Sequence, residues 1–386
     1  MKLNKWLIIT TSYSTIGALG IYAALFQFTL LNFTQLYGLN SVMMGLFIAI
    51  QYSAIAFPPL FLGLLSAKIG KKKVLMISYL FVILGTLLVG SQNSLLSFMI
   101  AIFIIGAGFS VLEATHSATL ADEFPGESKR HINFSQVCFS IGALSSPFLA
   151  EFLMKSGIYF RDLYLLLSII FFIIAILFLF VKFRNGIKDQ KSNKSIFKIL
   201  SSLKNKTFFL LAIAIFLYVG IENTIASFTG NYFELILKTP QFSGFALSLF
   251  WGAMIPSRLI AGILKTNARK MFLFSCLLVF TSIIGAMLIP NNTIKIVLFA
   301  VCGFGCGPIW PFIMTTTADK FNGSSAPPLN ILMSFCGMGG AVIPLLSGIM
   351  ISHANGTVAY YFSAVLLILM LFIYYSSEKA RRVVSS

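Results

Sequence analysis

The chain has 386 residues, 58% of them hydrophobic and only 10% charged. Soluble domains run to about 45–50% apolar and about 25% charged, and disorder needs low hydrophobicity, so both classes are excluded. The net charge of +17 would suit a nucleic-acid partner, but the basic residues sit in alternate loops between apolar runs of roughly 18 residues or more, the length that marks membrane helices.

In chain order, Met1-Lys2-Leu3-Asn4-Lys5 has the form of a signal-peptide start. The apolar run behind it is too long for a signal-peptide core and is read as the first span. Twelve spans are predicted, at about 6–31, 41–66, 73–91, 95–121, 132–154, 163–183, 207–233, 242–264, 271–290, 294–318, 327–352 and 357–376. Of the 28 Lys and Arg, 23 fall on one side of this arrangement, among them Lys2, Lys5, Lys68, Lys71, Lys129, Arg130 and the run from Lys182 to Lys206. The other side has Lys155, Arg161, Lys238 and Lys295, and Arg258 lies inside a span. Translocation of basic loops is disfavoured, so the richer side is cytoplasmic and both termini lie on it. A bacterial inner (cytoplasmic) membrane is the expected location, with the lipid bilayer as the main partner and nucleic acid excluded.

The widest hydrophilic stretch, Lys182 to Lys206, splits the spans six and six. The expected units are a first six-helix bundle at 1–183, a cytoplasmic basic linker at 184–206 and a second bundle at 207–386. The halves repeat each other. Gly106-Ala-Gly-Phe-Ser matches Gly303-Phe-Gly-Cys-Gly at an offset of 197, and Asn133, Gly142 and Pro147 match Asn330, Gly339 and Pro344 at the same offset. Gly45 and Gly63 match Gly244 and Gly262 at 199. A near-constant offset implies an all-α membrane protein of two bundles in the same orientation, related by a pseudo-two-fold axis along the membrane normal.

Nine of the eleven acidic residues can sit in loops or at helix ends, but Glu113 and Glu222 lie well inside spans. A charge at the bilayer centre costs about 2.5–3.5 kcal/mol on insertion scales, so such a residue faces the bundle interior or a wet cavity. A carboxyl there suits proton coupling; the alternative is a group held by hydrogen bonds or paired with Arg258. His116 lies three residues beyond Glu113 and could relay a proton with it, or be solvated near the cytoplasmic end. Arg258 reads as structural or gating. Gln27, Asn223, Ser227 and Asn231 sit at the right depth to bind a solute, with Gln51 and Gln136 on neighbouring spans. Trp310 is the repeat mate of Glu113 and could stack on a solute; Trp251 and Tyr218 are further aromatic candidates.

The five cysteines all fall within spans, and Cys302 with Cys306 lacks His or carboxylate partners for a metal. Gly303-Phe-Gly-Cys-Gly-Pro lacks the Lys-Ser/Thr of a phosphate loop. No metal or cofactor is expected, and no enzyme, since only three His occur and no nucleophile geometry is apparent.

The loop Gly63-Leu-Leu-Ser-Ala-Lys-Ile-Gly-Lys-Lys-Lys73 resembles the signature between the second and third helices of the major facilitator superfamily, with Ala67 in place of its acid. The resemblance covers essentially the whole chain. It implies a midplane cavity lined by the first, fourth, seventh and tenth helices. Lys68 and Lys71 then hold gating positions or act as membrane anchors. Gly108-Phe-Ser-Val-Leu-Glu113-Ala-Thr, Tyr218-Val-Gly-Ile-Glu222-Asn-Thr, Asn133-Phe-Ser-Gln136 and Ile309-Trp310-Pro311 are similar to segments of the fucose and glucose permeases, a group of sugar:proton symporters. The first span lacks the acid that the fucose permease has there. The resemblance implies alternating-access import of a sugar or sugar-like solute coupled to protons, or to sodium, by a unit that can work as a monomer. The rival expectation is an exporter of a drug, siderophore or metabolite in the same fold.

Overall fold

The computed structural model describes residues 2–58, 61, 69–91, 94–124, 127–182, 205–263, 268–320 and 326–385. In hydrocarbon each backbone N–H and C=O must be paired within its own segment, so the apolar runs become helices. They are α1 (Lys2–Leu36), α2 (Ser41–Ala56), α3 (Lys71–Ser91), α4 (Leu95–Glu123), α5 (Ser128–Lys155), α6 (Asp162–Leu179), α7 (Lys206–Ser227), α8 (Ser243–Ile263), α9 (Ala268–Leu288), α10 (Asn292–Cys306), α11 (Ile309–Lys320), α12 (Ala326–His353) and α13 (Val358–Ser385). Asparagines start several of them. Asn40, Asn205 and Asn291 each accept first-turn backbone N–H groups with the side chain, satisfying donors that a helix start leaves free.

Among the described residues, eleven segments are long and apolar enough to cross a membrane, and Ser41–Ala56 is a shorter apolar helix. The expected second span ran to residue 66; residues 62–68, with Ala67 and Lys68, lie outside the described residues. Most of the linker expected at 184–206 lies outside them too. The tenth span is α10 and α11 together, broken at Gly307 and Pro308. Pro308 and Pro311 have no N–H to give the carbonyls four residues before them, which a continuous helix would require.

The two bundles repeat in packing as in sequence. In the first, α1 packs on α5, α2 on α4, and α3 on α4 and α6. In the second, α7 packs on α12, α8 on α10, and α9 on α10 and α13. The bundles meet along two seams, α2 on α12 and α8 on α5. Each seam closes at a glycine facing the carbonyl of a proline inside the opposite helix. A Cβ on Gly45 would stand 2.8 Å from the Pro344 oxygen, and one on Gly244 would stand 3.3 Å from the Pro147 oxygen. Gly45 and Gly244 are repeat mates, as are Pro147 and Pro344, so one contact is made twice. Small residues let membrane helices approach this closely.

Two contacts fix the face that carries the termini. Lys72 Nζ donates to the carbonyls of Leu179 at 2.6 Å and Val181 at 2.8 Å, at the end of α6. Asn4 pairs with the Lys182 backbone in both directions, at 2.6 and 2.8 Å.

Candidate functional site

A chain of polar side chains links the bundles on the half of the protein away from the termini. Trp251 Nε1 of α8 donates to Gln27 Oε1 of α1 at 3.0 Å. Gln27 Nε2 donates to Asn223 Oδ1 of α7 at 3.2 Å. Tyr52 of α2 donates to the same Asn223 oxygen, and Asn223 Nδ2 is anchored on the Val219 carbonyl at 2.8 Å. Gln51 is buried beside them, and its Oε1 has no partner among the described residues. Phe26, Phe109 and Ser227 complete the wall. The space left between these groups is about 10 Å³, roughly room for one water. The walls therefore meet, and a solute enters only when they part.

The second cluster lies nearer the termini. Arg258 of α8 reaches across the seam to Ser140 Oγ of α5 at 2.7 Å. Its Nε donates to the Gly307 carbonyl at 3.2 Å. That carbonyl is free because Pro311 has no N–H to give it. Glu113 of α4 accepts a hydrogen bond from Gln136 of α5 and lies in the field of both Arg258 and Glu222. On α7, Tyr218 Oη lies 2.6 Å from Glu222 Oε1 and 2.9 Å from the Cys306 carbonyl at the end of α10. Among the described residues no carboxylate pairs directly with Arg258 within 4.0 Å. One cation thus serves two acids through its field while its hydrogen bonds go to the other bundle and to the broken span.

Most of the residues expected from the sequence converge here. Gln27, Gln51, Asn223 and Ser227 line the gap, and Glu113, Gln136, Glu222 and Arg258 form the second cluster. Others do not join them. His116 turns into the first bundle, fully buried, with Nδ1 3.0 Å from Ser12 Oγ and Nε2 2.8 Å from Tyr79 Oη. Asn231 falls in the π-helical turn beyond α7, with its Oδ1 against Gly356. Trp310 stands one side chain back from the acids, hydrogen-bonded to Cys336 of α12, whose thiol lies in the field of Glu113 and Glu222, and Lys71 opens α3. Sequence reading missed Tyr52, Ser140, Phe26 and Phe109. Two signals could have found the polar pair: Tyr52 adjoins Gln51, and Ser140 follows Gln136 by one helical turn.

Two repeated six-helix bundles that face each other across a polar site define a membrane transporter. A model of the Major Facilitator Superfamily matches residues 7–327 and 211–386, and the chain belongs to that superfamily. It is similar to the glucose/mannose transporter GlcP of Bacillus subtilis, 23% identical over 257 residues that cover 64% of this chain and 63% of that protein. The match thus spans just under two thirds of the Bacillus protein. It is also similar to the glucose/galactose transporter of Brucella abortus, 23% identical over 344 residues, or 82% of this chain and 79% of that protein. Its fold matches the crystal structure of the superfamily transporter FucP in the outward conformation, with a TM-score of 0.73 at 17% identity over 96% of this chain and 98% of that one. The superfamily resemblance and the narrower likeness to sugar permeases are both borne out.

Proposed function

We propose that the protein imports a hexose or a closely related polyhydroxy solute, driven by the proton gradient, through alternating access. The observation that carries this is the amide, phenol and indole chain from Trp251 through Gln27 and Asn223 to Tyr52. Sugar hydroxyls both donate and accept, so they can take over such bonds one for one. Phe26 and Phe109 offer faces for the apolar side of a sugar ring. The names of the Bacillus and Brucella relatives point the same way.

Glu113 is the main coupling carboxyl in this reading, and Glu222 assists it or binds the solute. Arg258, tied to both bundles, acts as the gate between them. His116 bonds to Ser12 and Tyr79 inside the first bundle, so any proton it passes runs through those hydroxyls. The basic face is taken as cytoplasmic, so the Gly45 and Gly244 contacts lie toward the extracytoplasmic side, where an imported solute would enter. The test is uptake of labelled glucose and galactose into right-side-out vesicles. Accumulation should collapse when the inward proton gradient is removed. No uptake of any hexose in either condition would sink the proposal. The aromatic wall supports a second reading, export of an amphipathic solute, which inverted vesicles would reveal.

A further inference from the structure

We propose that Tyr218 is a positioning residue that ties the proton on Glu222 to the break in the tenth span. The inference rests on the proton-coupled reading above. Its starting point is a count of hydrogens. Tyr218 Oη has one hydrogen and faces two oxygens, Glu222 Oε1 at 2.6 Å and the Cys306 carbonyl at 2.9 Å. When Glu222 is ionised, both are acceptors, and a single O–H cannot satisfy two. Bonds to an ionised acceptor are the stronger kind, so the carboxylate takes the hydrogen and the buried carbonyl goes without. When Glu222 is protonated, its own O–H donates to Tyr218 Oη, and Tyr218 donates to Cys306. Both contacts of Tyr218 Oη are then satisfied.

The Cys306 carbonyl needs this outside donor because of where it lies. It ends α10, and the last carbonyls of a helix lack intrahelical partners. The next one, Gly307, is held by Arg258 Nε. The junction between α10 and α11 is therefore fastened from α7 by Tyr218 and from α8 by Arg258. Loss of the Glu222 proton releases the first fastening and leaves the second. Arg258 then remains as the side-chain hydrogen bond on the junction, beside the packing of α11 (Ile309–Lys320) on α7, α9 and α12.

The groups that face Glu222 come from every helix packed around it. They are Tyr218 on its own helix, Arg258 of α8, Glu113 of α4, Cys306 of α10, Cys336 of α12 and Tyr52 of α2. Only Glu222 is joined to the broken span through a hydroxyl that bonds at both ends.

The experiment is amide hydrogen exchange of the full-length protein in lipid nanodiscs across a pH series, corrected for intrinsic exchange. It is paired with glucose uptake in proteoliposomes. In the wild type, protection of α11 should fall as pH rises through the Glu222 titration, by up to about tenfold per pH unit, the limit for one linked proton. Tyr218→Phe keeps the ring and removes the hydroxyl; α11 should be weakly protected at every pH. Glu222→Gln supplies a permanent N–H to Tyr218, so α11 should stay protected at every pH. A Tyr218→Phe protein, or a Glu222→Gln protein, that keeps the wild-type pH profile would overturn the inference. The exchange readout needs no sugar. A wild type that fails to accumulate glucose yet shows the pH-dependent protection would defeat the transport proposal and leave this one standing.

Discussion

The backbone carbonyls of Val89 and Ala286 are repeat mates, 197 residues apart, and each accepts a hydrogen bond from a buried cation. Arg161 Nε donates to Val89 at 3.0 Å, and Lys295 Nζ donates to Ala286 at 2.7 Å. The two carbonyls end the third and ninth spans, where helices leave acceptors free. The two donors are not mates: Arg161 precedes α6 and Lys295 lies in the first turn of α10. The repeat has kept the need for a cation and changed the helix that supplies it.

Lys295 also donates to Tyr232 Oη at 2.8 Å and is 4% exposed. Lys295→Met keeps the stem and removes the head. The Ala286 carbonyl would keep only the longer bond from Tyr232 Oη at 3.3 Å, and the lost charge-assisted bond costs about 1.5–3 kcal/mol. Thermal unfolding in detergent should show the loss, with the lysine variant of Arg161 milder than its methionine variant.

Glu113→Gln should abolish gradient-driven accumulation and spare substrate exchange. The amide keeps the size of the side chain and its place beside Gln136, but cannot carry a proton on and off. Equal loss of both activities, measured in the same vesicles, would demote Glu113 to a structural or binding role.

Gln27 and Asn223 should act as a unit. Asn223→Ala strands the Gln27 Nε2–H and Gln27→Ala strands the Trp251 N–H, so the second replacement removes less than the first. A double-mutant cycle on stability or on the KM for glucose should give a coupling of roughly 0.5–3 kcal/mol, the range for side chains in one network. Additive effects would mean that the two amides work apart.

Gly45→Val should hold the α2–α12 seam open. Its first carbon would stand 2.8 Å from the Pro344 oxygen, and overpacking of this kind costs about 1–3 kcal/mol. Gly244→Val should act likewise at the twin seam. Labelling of a cysteine introduced at Ser227 by an impermeant thiol reagent, added from the face opposite the termini, should rise in both.

Acid should favour the closed seam. Burial holds the Glu234 carboxyl above its ordinary range; a hydrogen bond from Ser243 opposes this and the charge of Glu151 across the seam adds to it. A carboxyl raised in the closed state binds more protons there than when solvated, so closure weakens as pH rises through its titration. Glu234→Gln should flatten that dependence, read by the same labelling. Lys155, bonded to Glu151 at 2.7 Å, is exposed and should matter less.

Spans and repeat were legible because both are written in one dimension: apolar length gives the helices and constant offset gives the pairing of halves. Buried charge also reads in one dimension, which is why Glu113, Glu222 and Arg258 stand out in the sequence. Rotation about a helix axis does not. Glu113 and His116 are three residues apart, about 60° around α4, and that is enough to send one toward the other bundle and the other among Ser12 and Tyr79. Asn231 begins the π turn beyond α7 (Asn231–Ile236), a change of helix type that apolar length does not mark. Tyr52 and Ser140 carry no charge and sit in ordinary helical sequence, so only their neighbours across the gap mark them.

The polar chain through Gln27 and Asn223 has a consequence for the return half of the cycle. Its groups bond to one another when the site is empty, so the unloaded protein shuts without stranding them in the dry interior. A carrier whose vacant site was left unpaired would stall until a second solute arrived, and would work only as an exchanger. On the transport reading proposed above, a vacant form paired in this way lets the empty carrier return, so that net flow and not exchange alone is open to it.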